Sequence, residues 1–224
     1  MKYEELGRGF IKKREKKVVG LFIDGTGLDR ATRRINRKVD MSALVRGVTS
    51  GIAPIVARYY TLVPYEDDSR QRAFLDAVSR AGLSVIVKRL PPKGINRQVS
   101  VDLEMAADIV AFSLGHTNFS RENEYLPLDH PLRSPQAQSS KNDARTPSSA
   151  TEAAKDDKPQ QTGNISRSVV VVCPSRELAY PLGLSKEFDV DTTTADFGQF
   201  NTGDVLKSAA KWIDLSDSET IWRD

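Results

Sequence analysis

With two histidines and one cysteine in 224 residues, this chain must draw any chemistry mainly from its carboxylates and cationic side chains. The first candidate is Asp24, in the stretch Phe22-Ile23-Asp24-Gly25-Thr26-Gly27. It closes an apolar run that begins at Val18, where a buried strand should end in a glycine-containing turn. A carboxylate there either anchors a divalent ion or closes the turn. Hard ions such as Mg²⁺ and Mn²⁺ are held by several oxygen ligands, so the first reading needs more acids at the same place. Asp102, Glu104 and Asp108 share one segment of helical spacing, and Glu177 follows the apolar run that ends at Cys173. Cations flank Asp24 on both sides. Lys12, Lys13, Arg14, Lys16 and Lys17 precede it, and Arg30, Arg33, Arg34, Arg37 and Lys38 follow. Such clusters suit a polyanion such as nucleic acid, or else form a solvated tail and the polar face of a helix.

The elements that must position these residues alternate in type. Val18 to Ile23 reads as a strand, and Arg30 to Arg37 as helix or exposed loop. A helix follows, opened by Asp40 or Ser42 and presenting Met41, Leu44, Val45 and Val48 on one face. Ile55 to Leu62 is the second strand, and a helix from Asp67 or Ser69 stops near Gly82. Leu83 to Leu90 is the third strand, ended by Pro91-Pro92. Val101 to Phe112 is helical. Ser168 to Cys173 is a further buried strand, followed by a helix over Arg176 to Leu184 whose length Pro181 should limit. "EFDVDTTT" is a strand, and "TGDVLKSAAKWIDLS" reads as a closing helix.

This order predicts an α/β fold with a mainly parallel central sheet and helices on both faces. Functional residues then belong at the carboxyl ends of the strands, where Asp24 and the "CPSRE" stretch both lie. The chain divides into a basic N-terminal segment (1–17), a domain in two parts (18–114 and 167–216) and a short tail (217–224). Between the two parts, 115–166 is polar, poor in aliphatic residues and marked by Pro and Ser, and is expected to be a disordered insertion. The lone cysteine excludes an intramolecular disulfide framework and suits a reducing compartment. No apolar stretch approaches the roughly 18 residues that span a bilayer. A soluble, cytoplasmic protein without membrane contact is the expectation.

Taken in order, these segments resemble the NYN domain, in particular its LabA-like branch, within the PIN-like nuclease superfamily. "VVGLFIDGTGL" resembles the opening strand and its acidic turn, and "VDMSALVRGV" the first helix. "ARYYTLVPYEDDSRQRAFLDAVSRAGLSVIVKRL" resembles the tyrosine-rich strand, helix and third strand, and "RQVSVDLEMAADIVAFS" the acid-bearing helix. "SVVVVCPSRELAYPLGLSKEFDVDTTT" is similar to the strand and turn that carry the last acidic signature, and "DVLKSAAKWIDLS" to the closing helix. The resemblance implies a three-layer PIN-like fold and a metal-dependent ribonuclease, in which acids from several strand ends hold Mg²⁺ or Mn²⁺. Such ions activate water and neutralise the reacting phosphate.

On that pattern Asp24 is the first family acid, and an active enzyme would use it with Asp102 or Glu104 and with Glu177 as its catalytic set. Asp24, Glu104 and Asp108 are the candidate metal ligands. Ser100 and Ala106 stand where the pattern places helical acids, so either the helix begins such that Asp102 reaches the site, or these acids form a solvated helix face. In "CPSREL", Ser175 replaces one acid and Glu177 another. Thr26 and Ser175 keep hydroxyls that could meet a phosphate, although Ser175 equally suits a helix cap. Lys88, Arg89, Lys93 and Arg97, after the third strand, are the expected phosphate contacts.

Other chemistries are weakly supported. His116 and His130 lie in the polar insertion, and Cys173 follows four valines as a buried thiol would. "DGTG" lacks both the dinucleotide spacing and a P-loop lysine. Trp212 is expected in the core and Trp222 at the surface. Three functions remain. The first is an RNA-binding domain with an eroded metal site and weak or absent ribonuclease activity. The second is an active Mg²⁺- or Mn²⁺-dependent ribonuclease. The third is a structural subunit that docks a protein partner or forms a homodimer.

Overall fold

The computed structural model of the chain describes residues 16–66, 69–127, 165–200, 203–216 and 221–223. The basic run Lys12–Arg14, most of the polar insertion (128–164) and His130 lie outside the described residues. β1 (Lys16–Asp24) is buried on both faces: Val19, Leu21 and Ile23 enter one core, Val18 and Phe22 the other. α1 (Gly25–Ile35) starts with no intervening loop, because Asp24 is at once the last strand residue and the helix N-cap. α2 (Met41–Val48) is capped by Asp40, whose carboxylate accepts the Ala43 N–H at 2.8 Å. β2 (Val56–Val63), α3 (Ser69–Arg80), β3 (Ser84–Arg89) and α4 (Asp102–Ser113) complete the first half. The second half holds β4 (Ile165–Val172), a 3-10 turn (Arg176–Leu178), α5 (Ala179–Glu187) and β5 (Asp191–Asp196). A further 3-10 turn (Gly198–Phe200), α6 (Gly203–Ser208) and β6 (Lys211–Asp214) follow.

The six strands form one sheet in the order β3-β2-β1-β4-β5-β6, and every neighbouring pair is parallel. Leu28, Ala31, Leu44, Leu75 and Val78 bring α1, α2 and α3 onto one face. Met105, Ile109, Phe112, Leu182 and Val205 bring α4, α5 and α6 onto the other. This is the predicted three-layer α/β arrangement. Strand order reverses between β1 and β4, which opens a crevice at their carboxyl ends where the helices on either side diverge. No described helix is long and apolar enough to cross a membrane.

Several local expectations are corrected. Of the two alternatives for the basic Arg30–Arg37 stretch, helix holds as far as Ile35; Arg30, Arg33 and Arg34 stand along α1, and Arg37 follows its end. Pro181 does not shorten its helix, which runs to Glu187; it lies in the first turn, where its missing N–H has no intrahelical partner to lose. The expected closing helix is only six residues long, and Lys211–Asp214 becomes the edge strand β6. Pairing with β5 outweighs the helical propensity of that segment, and Ala210 N–H already bonds to the Thr192 carbonyl at 3.1 Å. The tryptophans exchange roles. Trp212 is 44% exposed on the edge strand, whereas Trp222 packs against the core beside Phe197. Residues 121–125, within the polar insertion, lie along β3: Asn123 and Tyr125 bond to its backbone, and the Tyr125 hydroxyl donates to Asp76 at 2.8 Å.

Candidate functional site

A cleft of about 410 Å³ opens at the carboxyl ends of β1, β4 and β5. Asp24 enters it from β1 and Asp102 from the first turn of α4; Ser175 enters from the loop after β4 and Asp196 from the end of β5. Arg30 and Arg34 line the same cleft from α1.

Asp24 is only 6% exposed, and its carboxylate accepts the Gly27 N–H at 2.9 Å. Burial pushes its pKa up to about 6; the Gly27 bond opposes that shift, the nearby Asp102 carboxylate adds to it, and Arg30 opposes it weakly. The glycines of the turn permit close packing. A Cβ on Gly27 would stand 2.4 Å from the Cys173 carbonyl oxygen, and one on Gly25 would stand 2.3 Å from the Tyr59 ring. The "DGTG" glycines therefore let α1 leave β1 directly against β4 and β2. Thr26 also lines the cleft, and its hydroxyl oxygen is buried without a hydrogen-bond partner among the described residues. Cys173 is a buried free thiol whose pKa burial pushes up, as expected of a structural cysteine.

Asp102 resolves the alternative left open by the sequence. Because α4 begins at Asp102, this residue sits in the first turn and faces the cleft. The Ser175 hydroxyl donates to its Oδ1 at 2.7 Å, and the Ser100 hydroxyl donates to Oδ2. Ser100 also accepts the Asp102 N–H at 2.9 Å. Two serines thus hold this carboxylate from both sides.

The other sequence candidates are placed elsewhere. Glu104 lies two residues further along α4, on the other side of the helix, and is outside the cleft lining; Lys88 Nζ meets its Oε1 at 2.6 Å and donates to the Ser100 carbonyl at 2.9 Å. Lys88 is therefore engaged in holding the β3–α4 loop. Asp108 accepts from Arg58 and from the Tyr60 hydroxyl, deep between α4 and β2, and does not reach the cleft. Glu177 is exposed on the 3-10 turn, which directs Leu178 into the core and leaves the acid outside the cleft lining. Arg89 donates to the Tyr65 carbonyl at 3.1 Å, away from the cleft. Lys93 and Arg97 are exposed on the loop whose next residues, Gln98 to Val101, line the cleft.

Asp196 is the acid that sequence reasoning misses. It is 6% exposed, lines the cleft, and accepts the Trp212 indole N–H at 2.8 Å. A signal for it exists, since Asp196 ends an apolar and β-branched run much as Asp24 does. The expected strand stops too early to include it.

The fold is thus an open parallel α/β sheet with three carboxylates and the α1 arginines Arg30 and Arg34 lining the cleft at its topological switch point. The family model of the NYN domain matches residues 18–121, from β1 to just beyond α4. This part of the chain is similar to the NYN domain, a family of the PIN-like nuclease superfamily. The whole fold is similar to a crystal structure of a protein of unknown function from Vibrio parahaemolyticus. That likeness has a TM-score of 0.61 at 9% sequence identity, covering 94% of this chain and 98% of the other. No curated protein matches the sequence.

Nucleases of this superfamily are generally dependent on divalent metals. The donor set here does not fit such an ion well. Among the described residues, no group of three His, Cys, Asp or Glu side chains stands where it could hold a metal. Asp24 is engaged as a helix cap, Asp102 by two serine hydroxyls and Asp196 by an indole N–H.

Proposed function

We propose that this NYN-like domain binds RNA at the cleft and that its ribonuclease activity is weak or absent, its metal site being eroded. The observation that carries this reading is the fate of Asp102. Hydroxyls of Ser100 and Ser175 satisfy it, and both serines stand where the family resemblance places acids. Serine in place of an acid removes negative charge that would help to hold a divalent ion. Arginines at the cleft wall supply attraction for phosphate. The order of motifs supports the LabA-like branch, and the single cysteine supports a cytoplasmic location.

The second reading, an active Mg²⁺- or Mn²⁺-dependent ribonuclease, is favoured by one observation: Asp24, Asp102 and Asp196 line one cleft. Calorimetric titration of Mn²⁺ into the purified protein, run beside single-stranded RNA binding at two salt concentrations, separates the two. The expected result is salt-dependent RNA binding with no Mn²⁺ binding. Mn²⁺ binding together with chelator-sensitive RNA cleavage that Asp24→Asn abolishes would establish the active enzyme instead.

A further inference from the structure

Three exposed arginines of the α1 region, Arg30, Arg34 and Arg37, are not used by the fold in any ion pair among the described residues. Arg33, between them, is held by Asp29 at 2.9 Å. Arg30 and Arg34 are one helical turn apart and both line the cleft. Arg37 follows the left-handed Asn36 that stops the helix, and its N–H bonds back to the Thr32 carbonyl at 3.1 Å. Its position is thereby fixed beyond the cleft.

Aromatic rings run along the same path. The Arg34 guanidinium lies 5.2 Å from the centroid of Phe200, and that of Arg37 lies 4.1 Å from Trp222. Trp222 stacks on Phe197 at 5.6 Å, and Phe197 and Phe200 both line the cleft. A guanidinium lying on a ring is held by one face, while its N–H edges stay outward and ready for a phosphate oxygen. The ordering of two long side chains has therefore already taken place in the unbound protein.

From this juxtaposition we propose that Arg30, Arg34 and Arg37 form a phosphate track that leads a single RNA strand out of the cleft, across the end of α1, toward Trp222. The proposal rests on the reading that the cleft binds RNA. It adds the path of the strand and the residues that fix its direction. A strand filling only the cleft would meet Arg30 and Arg34. A longer one would also meet Arg37.

The test uses the full chain and fluorescein-labelled oligouridylates of about 4 and about 12 nucleotides, with anisotropy followed as salt is raised. Arg34→Met and Arg37→Met keep the apolar stems over Phe200 and Trp222 and remove only the charge. For the longer probe the double substitution is expected to flatten the slope of log affinity against log salt by about 1.4, or about 0.7 for each phosphate no longer neutralised. Arg37→Met alone is expected to weaken the longer probe and leave the shorter one unchanged. Arg80→Met, an exposed charge at the far end of α3, is the control and is expected to change neither slope. Wild-type slopes in the α1 variants would overturn the track while leaving RNA binding at the cleft standing. An equal loss in Arg80→Met would also overturn it, as general charge attraction. Failure of the wild-type protein to bind either probe would remove both the track and the RNA-binding reading.

Discussion

Helix α4 carries two aspartates to opposite fates. Asp108 lies six residues after Asp102, about 9 Å further along the axis, and is half-buried against β2. There it meets the Arg58 guanidinium and the Tyr60 hydroxyl, the latter at 2.7 Å. Arg58 also donates to the Ser120 carbonyl at 2.9 Å and lies over the Phe119 ring, so this ion pair ties the chain after α4 to the sheet. Asp102, at the other end, meets no cation among the described residues. It takes two serine hydroxyls and faces the Asp24 carboxylate, whose pKa is held up near 6. One end of the helix neutralises its acid, and the other keeps two acids together at a cost to stability. Unfavourable electrostatics retained in a cleft mark a ligand site more clearly than the mere presence of acids.

The contrast is broken most severely from the neutralised end. Arg58→Met would leave the Asp108 carboxylate facing a buried phenol and no cation. The expected loss is about 3–5 kcal/mol in urea denaturation, because removing one partner of a buried pair strands the other charge. Adding Asp108→Leu should recover most of that loss. If the single substitution cost under about 1 kcal/mol, the pair would be behaving as a surface contact.

The cleft end should respond with the opposite sign. Burial raises Asp24 from 3.8 to about 6, so the folded protein binds this proton more tightly than the unfolded chain does. Its favourable contribution is complete below about pH 4 and fades as pH rises to about 6. Above that, the charged carboxylate lowers stability by roughly 2–3 kcal/mol relative to its protonated form. Asp24→Asn keeps an oxygen to cap Gly27 and removes the ionisation. The variant is therefore expected to be more stable than wild type at pH 8 by an amount of that order, and nearly equal to it at pH 4. Urea curves that keep the same separation at both pH values would show that ionisation of Asp24 carries no penalty.

The two ends also differ in how far the sequence exposes them. The layers and the strand-end position of Asp24 follow from apolar runs such as Val18–Ile23 and Ser168–Cys173, which report burial directly. Acids on a helix are harder to assign. Asp102 and Asp108 belong to one pattern, and only the starting residue of α4 decides which faces the cleft. Glu177 escapes such a reading because a 3-10 turn, invisible to helical periodicity, rotates it outward. Trp212 escapes it because its segment pairs as an edge strand, a long-range effect that local propensity does not contain. The arginines on rings are equally hidden, since Phe200 and Trp222 lie far from α1 in sequence.

The finest test of the contrast concerns Ser175. Its hydroxyl supplies one of the two donors that settle Asp102 without a cation. Ser175→Ala should cost about 1 kcal/mol and leave Asp102 with Ser100 alone. Ser175→Asp should cost a similar amount in metal-free buffer, because a third carboxylate would then repel Asp102 and Asp24. The informative readout is Mn²⁺ titration of the Asp variant. If Mn²⁺ binds Ser175→Asp and not the wild type, one hydroxyl separates this cleft from a metal centre, and Asp24 and Asp102 still stand in ligand positions. If neither binds, the cap on Asp24 and the Ser100 bond to Asp102 have already committed both acids to the fold, and the cleft owes its ligand to the arginines alone.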